Sequence, residues 1–296
     1  MKINRKIDSA ALTALLTVCA LPGGGQTLTH RYSFNGSATD SVGGANGTLI
    51  GGVLFQSDPS SVNGEADFPG GSSSVNPAYI SLPTSTVSGL QNATIELFTT
   101  SFDSTGGAFQ PLFSVASKYN NLTNYSILSP NRGGAGMGTG ARINNGAETV
   151  VASPDPLPDG LENHVVDLVY SGFTRVGSMG TETIYLDGSQ VAQGQTVFSF
   201  ADVASGNGGI GAVGVGGGSP FNDPTLLGGL NEFRIYNGAL TANQINLNIN
   251  AGPGVVAVNV AAPETPAPSS VLVFALGFAG LASRARKRFG QAKSAT

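Results

Sequence analysis

Through the middle of the chain, apolar and polar residues alternate in short runs, each closed by Gly, Asn, Asp or Pro. Alternation of this period places every second side chain on one face of an extended strand. The runs are Thr27 to Phe34, Thr48 to Phe55, Ala78 to Leu82, Thr94 to Thr99, Pro111 to Ala116, Tyr125 to Leu128, His164 to Tyr170, Thr183 to Leu186, Gln195 to Phe200 and Leu230 to Tyr236. Short strands in such a series predict an all-β, two-sheet antiparallel sandwich. Thr241 to Asn248 departs from the pattern and predicts a helix, with Thr241 as N-cap and Gln244 at the capping-box position. Asp187-Gly188, between two runs, predicts a hairpin turn. The Gly-rich stretch 204–219 reads as a turn or flexible strand, because GIGAVGVGGG lacks the Gly-Lys-Ser/Thr of a phosphate loop.

Both ends break this pattern. Lys2, Arg5 and Lys6, the apolar run Ala10 to Leu21 and the small residues after it predict a signal peptide over 1–25, cleaved after Ala20 or near Gly25. Either cleavage removes Cys19, the only cysteine, and with it any disulfide or thiolate metal site. Leu16-Thr17-Val18-Cys19 partly matches a lipobox, with Val18 where a small residue is expected. At the other end a Pro/Ala-rich linker over 251–269 leads to the apolar run Val271 to Ala282 and the cluster Arg284, Arg286, Lys287, Arg288. A dozen apolar residues fall short of the roughly 20 that cross a bilayer as a helix. Pro263-Glu264, the short hydrophobic helix and the Arg-rich end resemble a PEP-CTERM sorting tail over 270–296. That resemblance implies processing by an exosortase-type enzyme, transient membrane contact and a host that makes exopolysaccharide. Thr265 interrupts the usual Pro-Glu-Pro, and the residues after Arg288 run longer than is typical.

Composition narrows the partners. The chain has 296 residues, 43 Gly, no Trp and 11% charged residues, with its basic residues gathered at the two ends. Residues 26–270 hold six basic residues against 17 acids, a net of −11. Such a body repels nucleic acid and anionic lipid and suits cations or neutral polymers.

The blocks LTHRYSFNGSATDSVGGANGT, NATIELF, HVVDLVYSG, TETIYLDGSQVA and LGGLNEFRIYNGALTANQI together resemble the laminin-G-like branch of the concanavalin A-like lectin/glucanase superfamily over about 26–250. The resemblance implies a concanavalin A-like (jelly-roll) sandwich, and it leaves function open among glycan binding, protein binding and adhesion. Laminarinase-type hydrolases on this fold carry two Glu and an Asp along one strand, about 5 Å apart across the scissile bond. No Glu-x-Asp-x-x-Glu string occurs here: Glu65 and Asp67 read as a solvated pair on one strand face, and Glu96 stands alone. His30 and His164, the only histidines, lie near no GxSxG motif, and His164 reads as a packing residue.

The resemblance also implies a structural Ca²⁺ near the sandwich rim. The oxygen-rich loop 35–46 offers Asp40 and Asn46, and the closing strand offers Asn231 and Glu232 where the family often has Asp-Glu. Asp40 and Asn46 are equally ordinary turn residues, and Glu232 could instead pair with Arg234. For sugar, with no Trp to stack on, the residues singled out are Tyr119, Asn120, Asn121 and Tyr125. The resulting expectation is an exported, non-catalytic module of the cell envelope, cell surface or extracellular matrix that binds extracellular polysaccharide or an envelope protein. The alternatives are a purely structural or adhesive matrix protein and a divergent glycan-active enzyme.

Overall fold

Alternation becomes strand almost wherever the sequence shows it. The computed structural model describes residues 26–57, 64–71, 77–117, 123–205 and 210–257. In chain order the strands are β1 (Thr27–Tyr32), β2 (Thr48–Ile50), β3 (Leu54–Ser57), β4 (Gly64–Pro69), β5 (Tyr79–Leu82), β6 (Ala93–Phe102), β7 (Phe113–Ala116), β8 (Tyr125–Ser129), β9 (Gly138–Arg142), β10 (Thr149–Ala152), β11 (His164–Ser171), β12 (Gly180–Leu186), β13 (Ser189–Thr196), β14 (Ala212–Val215) and β15 (Leu227–Asn237). The α-helices are α1 (Phe200–Ser205) and α2 (Ala242–Ala251).

The strands form two antiparallel sheets. The first runs β13-β12-β11-β6-β15-β4-β3, and β1 also pairs with β15, beside its second half, while β4 takes the first half. The second runs β10-β9-β8-β7-β14-β5-β2. Odd and even positions divide as the period requires. Ile95 and Leu97 of β6, Val166 and Leu168 of β11, and Phe233 and Ile235 of β15 meet Phe113, Val115, Leu128, Val213 and Val215 of the second sheet in one core. Phe233 sits at its centre, with ring centroids 5.8 Å from Tyr32 and 5.5 Å from Phe113. Truncating such a residue to Ala costs about 3–5 kcal/mol.

On the outer face of the first sheet, Val169, Tyr236, Leu240 and Ile245 form a smaller cluster beneath α2. The helix begins as its sequence predicts, in a full capping box between Thr241 and Gln244. Asp187 and Gly188 turn the β12–β13 hairpin at φ 50° and 78°, the left-handed pair that a two-residue hairpin requires.

Two expected strands change. Thr48 to Phe55 divides into β2 and β3, because Gly51 and Gly52 turn the chain between them. Gln195 to Phe200 is strand only to Thr196. Beyond it Ser199 and Asp202 form a second capping box, Ser199 N–H donating to Asp202 Oδ2 at 2.9 Å and Asp202 N–H to Ser199 Oγ at 3.2 Å, which starts α1. The signal peptide and the sorting tail lie outside the described residues, as does the linker beyond residue 257.

Candidate functional site

The outer face of the second sheet carries a cavity of about 200 Å³ lined by Phe109, Ile127, Ser129, Arg132, Glu148, Phe221 and Asp223. From β8 it is lined by Ile127, which projects outward together with Tyr125 because Leu128 projects into the core. Tyr125 packs edge-on against Phe221 at 5.1 Å and lies under the Arg142 guanidinium at 5.7 Å. One wall is an ion pair, Arg132 Nη2 donating to Glu148 Oε1 at 3.2 Å. Gly140 of β9 makes room for the pair: a Cβ there would stand 2.1 Å from Glu148 Oε1 and 2.7 Å from the Arg132 nitrogens. Asp223 also lines the cavity and accepts from Ser219 Oγ at 3.0 Å. Burial pushes the Asp223 carboxyl up, against the Ser219 hydrogen bond and the Arg132 charge. Burial, followed by the neighbouring Glu148, likewise raises Tyr125.

Phe109 completes the rim in an unusual way. Its backbone sits at φ 64°, a region costly to any residue with a Cβ and most of all to a bulky one. Its N–H donates to Asn131 C=O at 2.7 Å, and its ring, 39% exposed, lies 5.6 Å from the Arg132 guanidinium. Backbone strain that presents a half-exposed aromatic ring over a cavity is the kind that binding sites retain.

Of the residues singled out for sugar, Tyr125 is almost wholly buried on the strand face it shares with Ile127, against Phe221, while Tyr119, Asn120 and Asn121 lie outside the described residues. Sequence reasoning missed Phe109, Arg132, Glu148, Phe221 and Asp223. Two signals pointed there: Arg132 and Arg142 are two of only six basic residues in 26–270, and Gly138-Thr139-Gly140 marks a strand something approaches closely.

The four residues expected to hold Ca²⁺ are engaged within the protein. Asp40 is buried, and five donors fill its oxygens: Arg31, Val42 and Gly43 N–H on Oδ1, Ala45 N–H and His30 Nδ1 on Oδ2, at 2.7–3.1 Å. Partial burial pushes this carboxyl up, but the hydrogen bonds outweigh it and hold it at about 2. Asn46 Oδ1 accepts from Asp40 N–H at 3.0 Å, and Asn231 Nδ2 donates to Gly64 C=O at 3.0 Å. Glu232 is clamped by Arg31 at 2.8 and 3.0 Å and also accepts from Arg234 and from Gly254 N–H. The N–H and guanidinium donors on Asp40, Asn46 and Glu232 occupy lone pairs that a cation would need. Among the described residues no group of three or more His, Cys, Asp or Glu is placed to hold a metal.

The acids weighed for catalysis resolve in the same way. Glu65 and Asp67 share an outward face of β4, with Asp67 accepting from Gln56 Nε2 at 2.6 Å. His164 is held by Asp187 at 2.8 Å. Glu96 is not alone: across the sheet it faces Asp167 on one side and Arg234 on the other, whose Nη1 donates to it at 2.9 Å. Asn248 of α2 and Tyr236 also donate to Glu96, so the whole group is sealed beneath the helix. Neither Asp167 oxygen receives a hydrogen bond from the described residues. Burial, and next the Glu96 charge, raise this carboxyl well above the usual carboxylate range.

The family model described as the concanavalin A-like lectin/glucanases superfamily, of laminin-G type, matches residues 74–246. Among solved structures, domain 4 of AbnA, a GH43 extracellular arabinanase from Geobacillus stearothermophilus in complex with arabinotriose, superposes with TM-score 0.58 at 18% identity. That match covers 75% of this chain and 98% of the other. The CBM40 of Ruminococcus gnavus IT-sialidase, bound to α2,3-sialyllactose, gives TM-score 0.44 at 18% identity, covering 58% and 86%. No curated protein matches the sequence.

Proposed function

This chain belongs to the concanavalin A-like lectin/glucanases superfamily, and on that premise we propose that it is an exported, non-catalytic module that binds polysaccharide through the outer face of its second sheet. The observation that carries this reading is Phe109, a strained, half-exposed ring at the mouth of a cavity that also holds the Arg132–Glu148 pair. Saccharides present apolar C–H faces and hydroxyl edges. An aromatic wall beside a paired donor and acceptor answers both. The shared fold of a domain in complex with arabinotriose supports a saccharide as the ligand class.

The non-catalytic part of the reading rests on the acids of the first sheet. Glu96 and Asp167 are wholly buried, with Asn248 of α2 donating to Glu96. The segments 1–25 and 270–296 are proposed as export and sorting signals that place the domain in the envelope, on the surface or in the matrix. Among the described residues no helix is long and apolar enough to cross a membrane.

The test is affinity electrophoresis of the purified protein through gels carrying one polysaccharide each, with Arg132→Ala run alongside. Retardation by at least one polysaccharide, lost in the variant, is expected. No retardation in any gel would favour a purely structural or protein-binding role, and release of reducing ends from any of them would overturn the non-catalytic assignment.

A further inference from the structure

We infer that the site takes one neutral sugar residue at a time, gripped through a vicinal diol that bridges Arg132 and Glu148. This rests on the function proposed above and narrows it.

Size comes first. The cavity, about 200 Å³, lies below the range of roughly 300–1,000 Å³ that houses drug-sized ligands, so it suits one ring rather than a length of chain. Hydrogen-bonding chemistry comes second. Arg132 and Glu148 place a guanidinium and a carboxylate 3.2 Å apart on the same wall. A guanidinium only donates and an ionised carboxylate only accepts, whereas each hydroxyl of a diol does both. One hydroxyl can accept from Arg132 while its neighbour donates to Glu148, so the diol meets the donor and the acceptor of the pair at once.

Charge selects among sugars. Glu148 already neutralises Arg132, and Asp223 adds a second acid to the same cavity, so a uronate or sulfated sugar would meet an excess of negative charge. The surrounding stretch 26–270, at −11, adds repulsion at longer range. Phe109 and Phe221 supply apolar walls for the ring's C–H faces. Gly140 is the enabling residue, because any side chain there would push the pair off the wall.

The test is calorimetric titration of the full chain with D-glucose, D-galactose and L-arabinose, their unbranched neutral trisaccharides, and D-galacturonate. For whichever sugar binds, the trisaccharide should match the monosaccharide within about threefold, and galacturonate should bind at least tenfold more weakly. Glu148→Gln, which removes the carboxylate but keeps the shape, and Gly140→Ala, which displaces the pair, should each lower affinity at least tenfold. Glu148→Gln should leave the thermal midpoint unchanged. A trisaccharide advantage above tenfold, tighter binding of galacturonate, or indifference to both variants would overturn the inference while leaving polysaccharide binding intact. Failure of every sugar here, together with every polysaccharide gel, would bring down the proposed function itself.

Discussion

Glu182→Gln should abolish a pH dependence of stability that the wild-type core imposes on itself. Glu182 lies on β12, wholly buried and facing the second sheet, where Thr139 of β9 donates to it and the Tyr170 hydroxyl lies within hydrogen-bonding reach. Burial pushes its carboxyl up from 4.5 to about 7, with the Thr139 and Tyr170 hydrogen bonds and the Arg132 charge only partly opposing. The shift fixes the sign. Below about pH 4.5 folded and unfolded chains both hold the proton, and this group adds no pH dependence. Between about 4.5 and 7 only the folded chain holds it, so stability falls as pH rises, and above about 7 the loss is complete. At about 1.4 kcal/mol per pH unit the full loss is about 3 kcal/mol, of which about 2 kcal/mol falls between pH 5.5 and 8. Gln mimics the protonated acid: its carbonyl accepts from Thr139, and its amide donates to Tyr170, which is then left to Ser126 Oγ at 2.9 Å. Urea unfolding of both proteins at pH 5.5 and pH 8 measures the difference. The advantage of the variant should grow by about 2 kcal/mol across that interval, at unchanged m-value. Parallel stability curves would mean that Glu182 is ionised in the folded core and that the reasoning is wrong.

Three further outcomes follow from other parts of the fold. Asp167→Asn should gain stability relative to wild type as pH rises, because burial and the Glu96 charge raise the Asp167 carboxyl and make its ionisation costly to the folded state; a difference that does not grow with pH would contradict this. Asp40→Ala should cost about 3 kcal/mol through the N–H donors it strands, while millimolar calcium and excess EDTA should give equal midpoints in the wild type; a calcium-dependent rise abolished by the substitution would restore a cation to that loop. Thr241→Ala should cost about 1 kcal/mol by removing the α2 cap, seen as a lower urea midpoint, and no change would show that α2 is held by packing alone.

The fold was legible where the local code and the tertiary structure agree. Leu230 to Tyr236 alternates because one face meets the core and the other meets α2, and Thr241 with Gln244 announces the helix that covers it. Legibility failed where glycine replaces the apolar half of the pattern. β9 reads Gly-Thr-Gly-Ala-Arg, yet it pairs along its length with both β8 and β10. Its glycines leave room for groups that cross over the strand, so the feature that hid β9 is the one that builds the site. The site itself gathers Phe109, Arg132, Glu148 and Asp223 from separate connections, which only the order of the second sheet brings together. The residues named for Ca²⁺ were chosen by type alone, which does not show how their oxygens are used. Asp40 and Glu232 are oxygen donors in the sequence, but in the fold their lone pairs are spent on His30, Arg31, Arg234 and backbone N–H groups.

The most direct test of saccharide binding at the second sheet compares Phe109→Gly with Phe109→Ala. Both remove the ring. Only Gly accepts φ 64° without strain, so it should be about 1 kcal/mol more stable than the Ala variant. Affinity for the polysaccharide retained by the wild type should fall at least tenfold in both, a loss of about 1.4 kcal/mol or more, although the Gly variant keeps a relaxed backbone. Wild-type affinity in Phe109→Gly would contradict the account, because the strain at this position would then serve no ligand.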